Sequence, residues 1–301
     1  MGSAPPSKEQ EVIVIDEDDP GREITPEPIV VGANEVFIKL QSKVAMDQSL
    51  KGGDFEYRFV SGCNVTYFEQ TTDFTCSYSS LMMVISGLYS HSPIYRECLF
   101  NGVNFVPDVV SIQFLLESAW AKGYDIEGST HFDGSLVGKK MRIGPSDIAA
   151  LMRANGVPTY IYDFDYGNDS FSSVLAFILE CFFAQSDQVL PMVLGNASHT
   201  VVVVGCRRSS TAFELLIFDP SLKASRAVRC ESVQDFVLSS HRAKQFQLLR
   251  FGPTKEHPEL LLSDTSPVKC GSKELFAMKP PRVSFPSVVV TDKRRRLGRD
   301  S

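Results

Sequence analysis

Cys76 stands at the start of a predicted helix, in the stretch FEQTTDFTCSYSSLMMVISGLY that spans residues 68–89. The unpaired backbone N–H groups of a helix N-terminus carry partial positive charge, which favours a thiolate over a thiol. Because the thiolate is the nucleophilic form of cysteine, this position makes Cys76 a candidate nucleophile. The alternative is that Cys76 is one more small buried residue, which is the commoner role of a free cysteine.

A nucleophilic cysteine needs a neighbouring base, and His199 is the histidine whose context differs from that of the others. It begins the apolar run HTVVVVG, which predicts a strand directly after the loop GNAS. The remaining histidines lie in a predicted turn, in polar and exposed segments, or in the C-terminal tail: His91, His131, His241 and His257. A histidine at a strand start can also be a surface or capping residue, so the base remains a hypothesis.

Asp219 is the candidate third member, because it ends the next predicted strand, FELLIFDP, 20 residues after His199. An antiparallel hairpin of these two strands would bring the start of the first beside the end of the second. His199 and Asp219 are therefore predicted to lie side by side, with the carboxylate orienting the imidazole. An aspartate before a proline can also simply form a turn.

Gln70 lies six residues before Cys76, on the segment that leads into the predicted helix. Its side-chain amide could donate to a developing oxyanion, together with the backbone N–H of Cys76. The same Gln-x5-Cys spacing occurs in papain-like proteases. The order glutamine, cysteine, histidine, aspartate therefore predicts thiol-dependent attack on a carbonyl group.

The elements that must position these side chains follow from the spacing of apolar residues. The predicted helices are SYSSLMMVISGLYS, VVSIQFLLESAWAKGYD, GPSDIAALMRANGV and SSVLAFILECFFAQ, and the second and third end at Gly123 and Gly156. The predicted strands are PTYIYDF, VLPMVLG, HTVVVVGCR, FELLIFDP and QFQLLRF. Because helices come first and a run of strands later, we predict an α+β fold with helices packed on a mostly antiparallel sheet.

Composition is that of a globular protein and argues against several functional classes. Of the 301 residues, 43% are hydrophobic, and the net charge of −6 gives no support to direct nucleic-acid binding. There is no signal-peptide pattern and no run of about 18 apolar residues that could span a membrane. The seven cysteines lack zinc-ligand spacing, so we expect free thiols in a reducing compartment, no cofactor, and sequons that arise by chance at Asn64, Asn168 and Asn196.

Three regions are predicted along the chain: a tail over residues 1–28, one domain over 29–252 and a basic tail over 253–301. Both tails are rich in proline and polar residues without periodicity, so we expect them to be disordered. The cluster Lys293–Arg296 fits nuclear import, which predicts a protein of nucleus and cytoplasm, although it can also be a solvated charge run.

The N-terminal tail contains a short β-branched run followed by acidic residues, in the sequence EVIVIDEDDPG. Such a run can add a strand to an exposed sheet edge while the acids meet basic residues there. The pattern has the form of a SUMO-interacting motif at Val12, Ile13, Val14 and Ile15, so SUMO is a predicted partner. The alternatives are a chance apolar patch or a strand that docks on its own domain. Val288–Val290 is a weaker version with basic flanks.

Five segments together resemble the UFSP/ZUFSP family, cysteine proteases of ubiquitin-like modifiers: CSYSSLMM, SIQFLLESAWAKGYD, LVGKKMRIGPSDIAALM, SHTVVVVG and LLIFDP. The resemblance covers residues 65–250, and its most specific part is the pattern between Ile112 and Gly144. It implies a papain-like cysteine protease fold. It also implies that the family's nucleophile, histidine, aspartate and oxyanion glutamine fall on Cys76, His199, Asp219 and Gln70.

Two departures from the family pattern stand near these candidates. The family usually has Gly-Trp-Gly-Cys-Gly-Tyr-Arg-Asn where this chain has DFTCSYSS, and Arg142 in MRIG replaces a usual tryptophan. The departures are compatible with a diverged enzyme, and they leave all four candidate residues in place.

Ser221 distinguishes the branches of the family. The branch that cleaves the ubiquitin-fold modifier usually takes its base from Asp-Pro-His, whereas this chain has DPSLK, and a serine cannot serve as the base. His199 then remains, as in the deubiquitinating branch, so the resemblance implies ubiquitin and lysine-63-linked polyubiquitin as partners. Lacking zinc-ligand spacing, the chain resembles the short members of that branch. The alternatives are a protease of the ubiquitin-fold modifier and a non-enzymatic reader of ubiquitin and SUMO.

Overall fold

The computed structural model describes residues 41–42, 56–61, 63–99, 106–165, 177–178, 180–183, 189–196, 198–209, 213–223, 228–231 and 245–252. Both predicted tails lie outside these residues, and so do Val12–Ile15, Val288–Val290, Lys293–Arg296, His241 and His257. What the sequence indicates for these parts stays a prediction.

The described strands form one sheet in which all neighbours run antiparallel. The order across it is β2-β7-β3-β4-β5-β6, and β1 pairs with the part of β4 that lies beyond β3. In chain order the strands are β1 (Glu56–Phe59), β2 (Thr159–Asp165), β3 (Met192–Asn196), β4 (Thr200–Arg208), β5 (Phe213–Phe218), β6 (Val228–Glu231) and β7 (Gln245–Phe251).

Strand β4 is central and begins directly after His199. Its first residues pair with β3, its last residues with β1, and its other side with β5. Val201–Val204 are fully buried, which is why a continuous apolar run rather than an alternating one forms this strand. A Cβ at Gly205 would lie 2.6 Å from the carbonyl oxygen of Arg58, so the close approach of β1 requires glycine there.

The helices precede most of the sheet in the chain. They are α1 (Cys76–His91), α2 (Pro93–Cys98), α3 (Val109–Ala121), α4 (Ile126–His131) and α5 (Pro145–Ala154), and described residues within 177–183 are also helical. Helix α1 packs on β4 and β3, and every residue from Cys76 to Tyr89 is buried. Helix α5 joins α3 to the sheet at β2. None of the described helices combines the length and apolar character needed to cross a bilayer.

This architecture confirms the predicted α+β class of helices on a mostly antiparallel sheet. The glycines predicted to end α3 and α5 have positive φ, 89° at Gly123 and 78° at Gly156, a backbone conformation that glycine adopts at low cost. The helices α2 and α4 and the strands β1 and β6 were not predicted, because four to six residues are too few to show a period.

Two histidines lie on helices rather than in the predicted turn and loop. His91 is the last residue of α1, and its Nδ1–H donates to the carbonyl oxygen of Ser61 at 2.9 Å. His131 is the exposed last residue of the short helix α4. The polar residues around His91 belong to the end of α1 and the start of α2, and those before His131 form the body of α4.

Candidate active site

Cys76 is the first residue of α1 and is 1% exposed. Thr75 is the N-cap residue, but its hydroxyl oxygen accepts from the N–H groups of Thr71 and Thr72, both at 3.1 Å, and makes no cap bond to the helix. The first turn of α1 carries no acidic residue. The positive end of the helix is therefore left to act on the thiol and on whatever oxygen approaches it.

The start of α1 is joined directly to the start of β4. The Ser77 hydroxyl lies 2.9 Å from that of Thr200, and the Ser80 hydroxyl donates to the Thr200 carbonyl at 3.1 Å. Ser77 Oγ also lies 3.9 Å from Cys76 Sγ. Because Thr200 follows His199, these bonds bring the cysteine and the histidine to one place.

The turn before β4 is shaped by Asn196, whose role sequence reasoning missed. Its side-chain oxygen accepts from Ser198 N at 2.7 Å, from Ser198 Oγ at 2.8 Å and from His199 N at 2.8 Å. Its backbone N–H donates to the His199 carbonyl at 2.9 Å. An asparagine that accepts from N–H groups two and three residues ahead is a recognised turn signal, and GNASH carries it. Asn196 is also buried, at 9% exposure.

His199 and Asp219 lie side by side, as the predicted hairpin requires. Val202 pairs with Phe218 across β4 and β5, and the imidazole Nε2 lies 2.8 Å from Asp219 Oδ1. The carboxylate is 1% exposed and also accepts from Ser221 N at 3.0 Å and Ser221 Oγ at 2.6 Å. Burial raises the pKa of Asp219, but the hydrogen bonds from His199 and Ser221 outweigh it, so its pKa lies well below its usual range.

The electrostatics of Cys76 and His199 favour a thiolate beside an imidazolium. Burial lowers the pKa of His199, but hydrogen bonds to Asp219 and Cys76 raise it to about 9 overall. Burial raises the pKa of the Cys76 thiol, but the hydrogen bond and charge of His199, the charge of Arg142 and the Ser77 hydroxyl together lower it. Because Nε2 faces Asp219, the other ring nitrogen is the one left for the thiol.

A backbone hydrogen bond, rather than a bond of its side chain, holds Gln70 next to the turn at Asp219. Its backbone N–H donates to the Pro220 carbonyl at 2.8 Å. The Tyr67 hydroxyl supports the same turn by contacting the carbonyl oxygens of Asp219, at 2.7 Å, and Leu222. Within the described part of the chain, the Gln70 side-chain oxygen is buried without a hydrogen-bond partner.

The other three cysteines whose side chains the structure describes have pKa shifts opposite in direction to that of Cys76. Burial raises the pKa of Cys63 to about 12 and that of Cys181 to about 11, and it raises the pKa of Cys206 further. All four thiols are free. Among the described residues, no group of three or more His, Cys, Asp or Glu side chains could hold a metal ion.

Comparison with known proteins gives relatives that share this domain. The fission yeast (Schizosaccharomyces pombe) protein named Ubiquitin carboxyl-terminal hydrolase mug105 is 28% identical over 214 residues, 67% of this chain and 82% of that protein. Human Zinc finger-containing ubiquitin peptidase 1 is 26% identical over 196 residues, 58% of this chain and 33% of that protein. Its mouse counterpart is 28% identical over 179 residues, 56% and 30% of the two chains. The chain thus matches about a third of these mammalian relatives.

A crystal structure of UfSP from C. elegans is similar at a TM-score of 0.46 and 14% identity, covering 66% of this chain and 34% of that one. The family model described as Peptidase family C78 matches residues 57–250, which include the described sheet except Glu56 and Phe251 and all four candidate active-site residues. The match extends over more than half of the chain, and this protein therefore belongs to the cysteine peptidases of family C78.

Proposed function

We propose that this protein is a deubiquitinase that hydrolyses isopeptide bonds of ubiquitin conjugates through Cys76, His199 and Asp219. The observation that carries the proposal is a buried thiol at a helix start, beside an imidazole that lies 2.8 Å from a buried carboxylate. Ubiquitin as the modifier is supported by the fission yeast and mammalian relatives, which are named as a ubiquitin hydrolase and ubiquitin peptidases.

In the first step, His199 takes the proton of Cys76, and the thiolate attacks the carbonyl carbon of the modifier's C-terminal glycine. A carbon–sulfur bond forms, and the carbonyl oxygen becomes an oxyanion. The Gln70 amide and the Cys76 backbone N–H donate to it in this proposal. Asp219 holds the ring and stabilises the imidazolium.

In the second step, the bond from carbon to the lysine amine breaks, and the amine leaves with the proton from His199. The product is a thioester on Cys76. Water attacks this thioester while His199 takes one of its protons, and the sulfur leaves. The modifier is released as a carboxylic acid that loses its proton to solvent, and the proton on His199 faces the freed Cys76 thiolate, which restores the starting site.

A ubiquitin probe with an electrophilic C-terminus tests the proposed function. Wild-type protein should form a covalent adduct, Cys76→Ala should form none, and Cys206→Ala should label like wild type because that thiol lies inside β4. Loss of labelling in Cys98→Ala with labelling retained in Cys76→Ala would contradict the assignment of the nucleophile.

The family resemblance favours ubiquitin over the ubiquitin-fold modifier, because Ser221 stands where the branch that cleaves the ubiquitin-fold modifier has its histidine. The hydroxyl of Ser221 donates to Asp219 and leaves His199 as the base beside Cys76. A matched pair of electrophilic probes, one of each modifier, discriminates the two functions, and we expect faster labelling by ubiquitin. Binding of ubiquitin with no measurable turnover would instead favour the non-enzymatic reader.

The finer assignments rest on the family resemblance and on sequence patterns. We propose a preference for lysine-63-linked chains, SUMO binding through Val12–Ile15, and a location in nucleus and cytoplasm. A panel of di-ubiquitins and other modifiers, cleaved by the full chain and by a chain without residues 1–28, tests the linkage and the role of the motif. Equal cleavage of all linkages would remove the linkage assignment.

A further inference from the structure

Arg142 bridges the two segments that carry Cys76 and His199. Its Nη2 donates to the Asp73 carbonyl at 2.8 Å, and its Nη1 donates to the Ser198 carbonyl. Asp73 lies three residues before Cys76, and Ser198 directly precedes His199. We propose that Arg142 is a positioning residue that holds the nucleophile segment and the histidine segment in register. This inference deepens the proposed function and rests on it for the roles of Cys76 and His199.

The segment that carries Arg142 is anchored by helix α3. Gln113 accepts from Gly138 N at 2.9 Å and donates to the Lys139 carbonyl at 2.9 Å. One turn further along the helix, Glu117 accepts from Val137 N at 2.8 Å and from Leu136 N. Side chains four residues apart lie on one face of a helix, so both reach the same stretch of backbone.

Helix α1 holds the same segment from the other side. The Tyr78 hydroxyl, two residues after Cys76, donates to the Met141 carbonyl at 3.0 Å, and the Gln113 amide donates to Tyr78 at 3.3 Å. Arg142 is therefore presented by a backbone that is fixed on both sides. A guanidinium held in this way can restrain two loops that are 56 and 69 residues away in sequence.

Arg142 forms no ion pair with any described residue, because both of its hydrogen bonds go to neutral carbonyl groups. The charged groups around the thiol are thus Arg142 and His199, with Asp219 behind the imidazole. The pKa of the thiol is raised by burial and lowered by His199 and then by Arg142. A lysine could keep the charge, but it lacks the planar fork that reaches two acceptors.

Three variants test this role: Arg142→Met removes charge and bridge, Arg142→Lys keeps the charge, and Lys140→Met is the matched control. Lys140 is an exposed cation in the same segment. The first readout is the pH dependence of Cys76 alkylation by iodoacetamide, followed on the Cys76 peptide by mass spectrometry. The second is kcat and KM for cleavage of a ubiquitin conjugate.

We expect Arg142→Met to move the alkylation midpoint to higher pH and to slow alkylation at neutral pH by roughly three- to tenfold. Arg142→Lys should keep the midpoint near that of wild type and lower kcat with little change in KM, because the charge remains while one of the two loops is released. Lys140→Met should match wild type in both readouts. If Arg142→Met does not fold, the kcat of Arg142→Lys tests the positioning role by itself: a lowered kcat supports that role, and a wild-type kcat contradicts it.

Wild-type alkylation and kcat in Arg142→Met would overturn the proposal, and so would full activity in Arg142→Lys. The alkylation readout needs no ubiquitin. If the wild-type protein cleaves no ubiquitin conjugate but Arg142→Met still shifts the Cys76 profile, the proposed substrate fails and the positioning role stands. If the wild-type protein cleaves ubiquitin conjugates but Arg142→Met leaves both the Cys76 alkylation profile and kcat unchanged, the proposed function stands and the positioning role fails.

Discussion

Cys76 and Cys206 are equally buried, at 1% and 0% exposure, yet the pKa values of their thiols are shifted in opposite directions. Cys206 lies inside β4, between Arg58 of β1 and Leu215 of β5, and burial raises its pKa. Burial also raises the pKa of Cys76, but His199, Arg142 and Ser77 together reverse the direction of the shift. Burial alone therefore keeps a thiol protonated. A lowered thiol pKa depends on charged and hydrogen-bonding side chains from other segments of the chain.

The surroundings of Cys206 and of Cys76 also differ in how the backbone of β4 is hydrogen-bonded. Around Cys206 the strand pairs on both sides, so backbone groups are satisfied by regular ladders. At the other end of β4 the regular pairing stops, and side chains bond to the backbone instead: the Asn196 oxygen accepts from His199 N, and the Ser80 hydroxyl donates to the Thr200 carbonyl. The candidate site lies where the ladder ends, which leaves His199 free to turn toward Cys76.

The largest expected effect comes from His199→Gln, which removes the ring that Cys76 needs. Cleavage should fall by about 10³-fold or more, because the thiol loses both its base and its charged partner. The Cys76 thiol should then titrate like a buried cysteine, with its pKa above its ordinary value of 9.0. His131→Gln is the control, since His131 is exposed on α4. Equal loss in both variants would contradict the role of His199.

Asp219→Asn should have the next largest effect, a fall in kcat of about 10²- to 10⁴-fold. Asp219 and Cys76 together raise the pKa of His199 to about 9, and Asp219 is the larger of the two causes, so its neutral replacement should lower that pKa. Imidazolium exists only below its pKa, so the alkaline limb of the pH–rate profile should move to lower pH. An unmoved alkaline limb would show that Asp219 does not act on His199.

Ser221→Ala should have a smaller effect on the same carboxylate. It deletes the 2.6 Å hydrogen bond from Ser221 Oγ and keeps the backbone one. One hydrogen bond of this kind contributes about 0.5–1.5 kcal/mol, so kcat should fall roughly two- to tenfold. Ser135→Ala, in an exposed connection, is the matched control. A loss as large as that of Asp219→Asn would mean that Ser221 takes a direct part in the reaction.

The features predictable from sequence were those encoded by neighbouring residues. The α1 pattern located Cys76 at a helix start, and two consecutive strands brought His199 beside Asp219. The order of the predicted strands also gave the α+β class. These inferences needed only local periodicity and one hairpin.

Contacts between distant segments left no local signal. Arg142 reaches carbonyl groups 56 and 69 residues away, and Tyr67 reaches the Asp219 carbonyl across 152 residues. Backbone acceptors impose no residue type, so the partners of Arg142 and Tyr67 cannot be recognised in the sequence. Asn196 did carry a local turn signal, and its position in a sequon obscured it.

Among the described thiols, only Cys76 has a pKa below its ordinary value, and a difference titration measures that pKa. Thiolate absorbance is followed against pH for the folded wild-type protein and for Cys76→Ala, and the difference isolates Cys76 without any substrate. We expect a midpoint below the ordinary value of 9.0. A midpoint at or above 9.0, as burial alone would give, would contradict it.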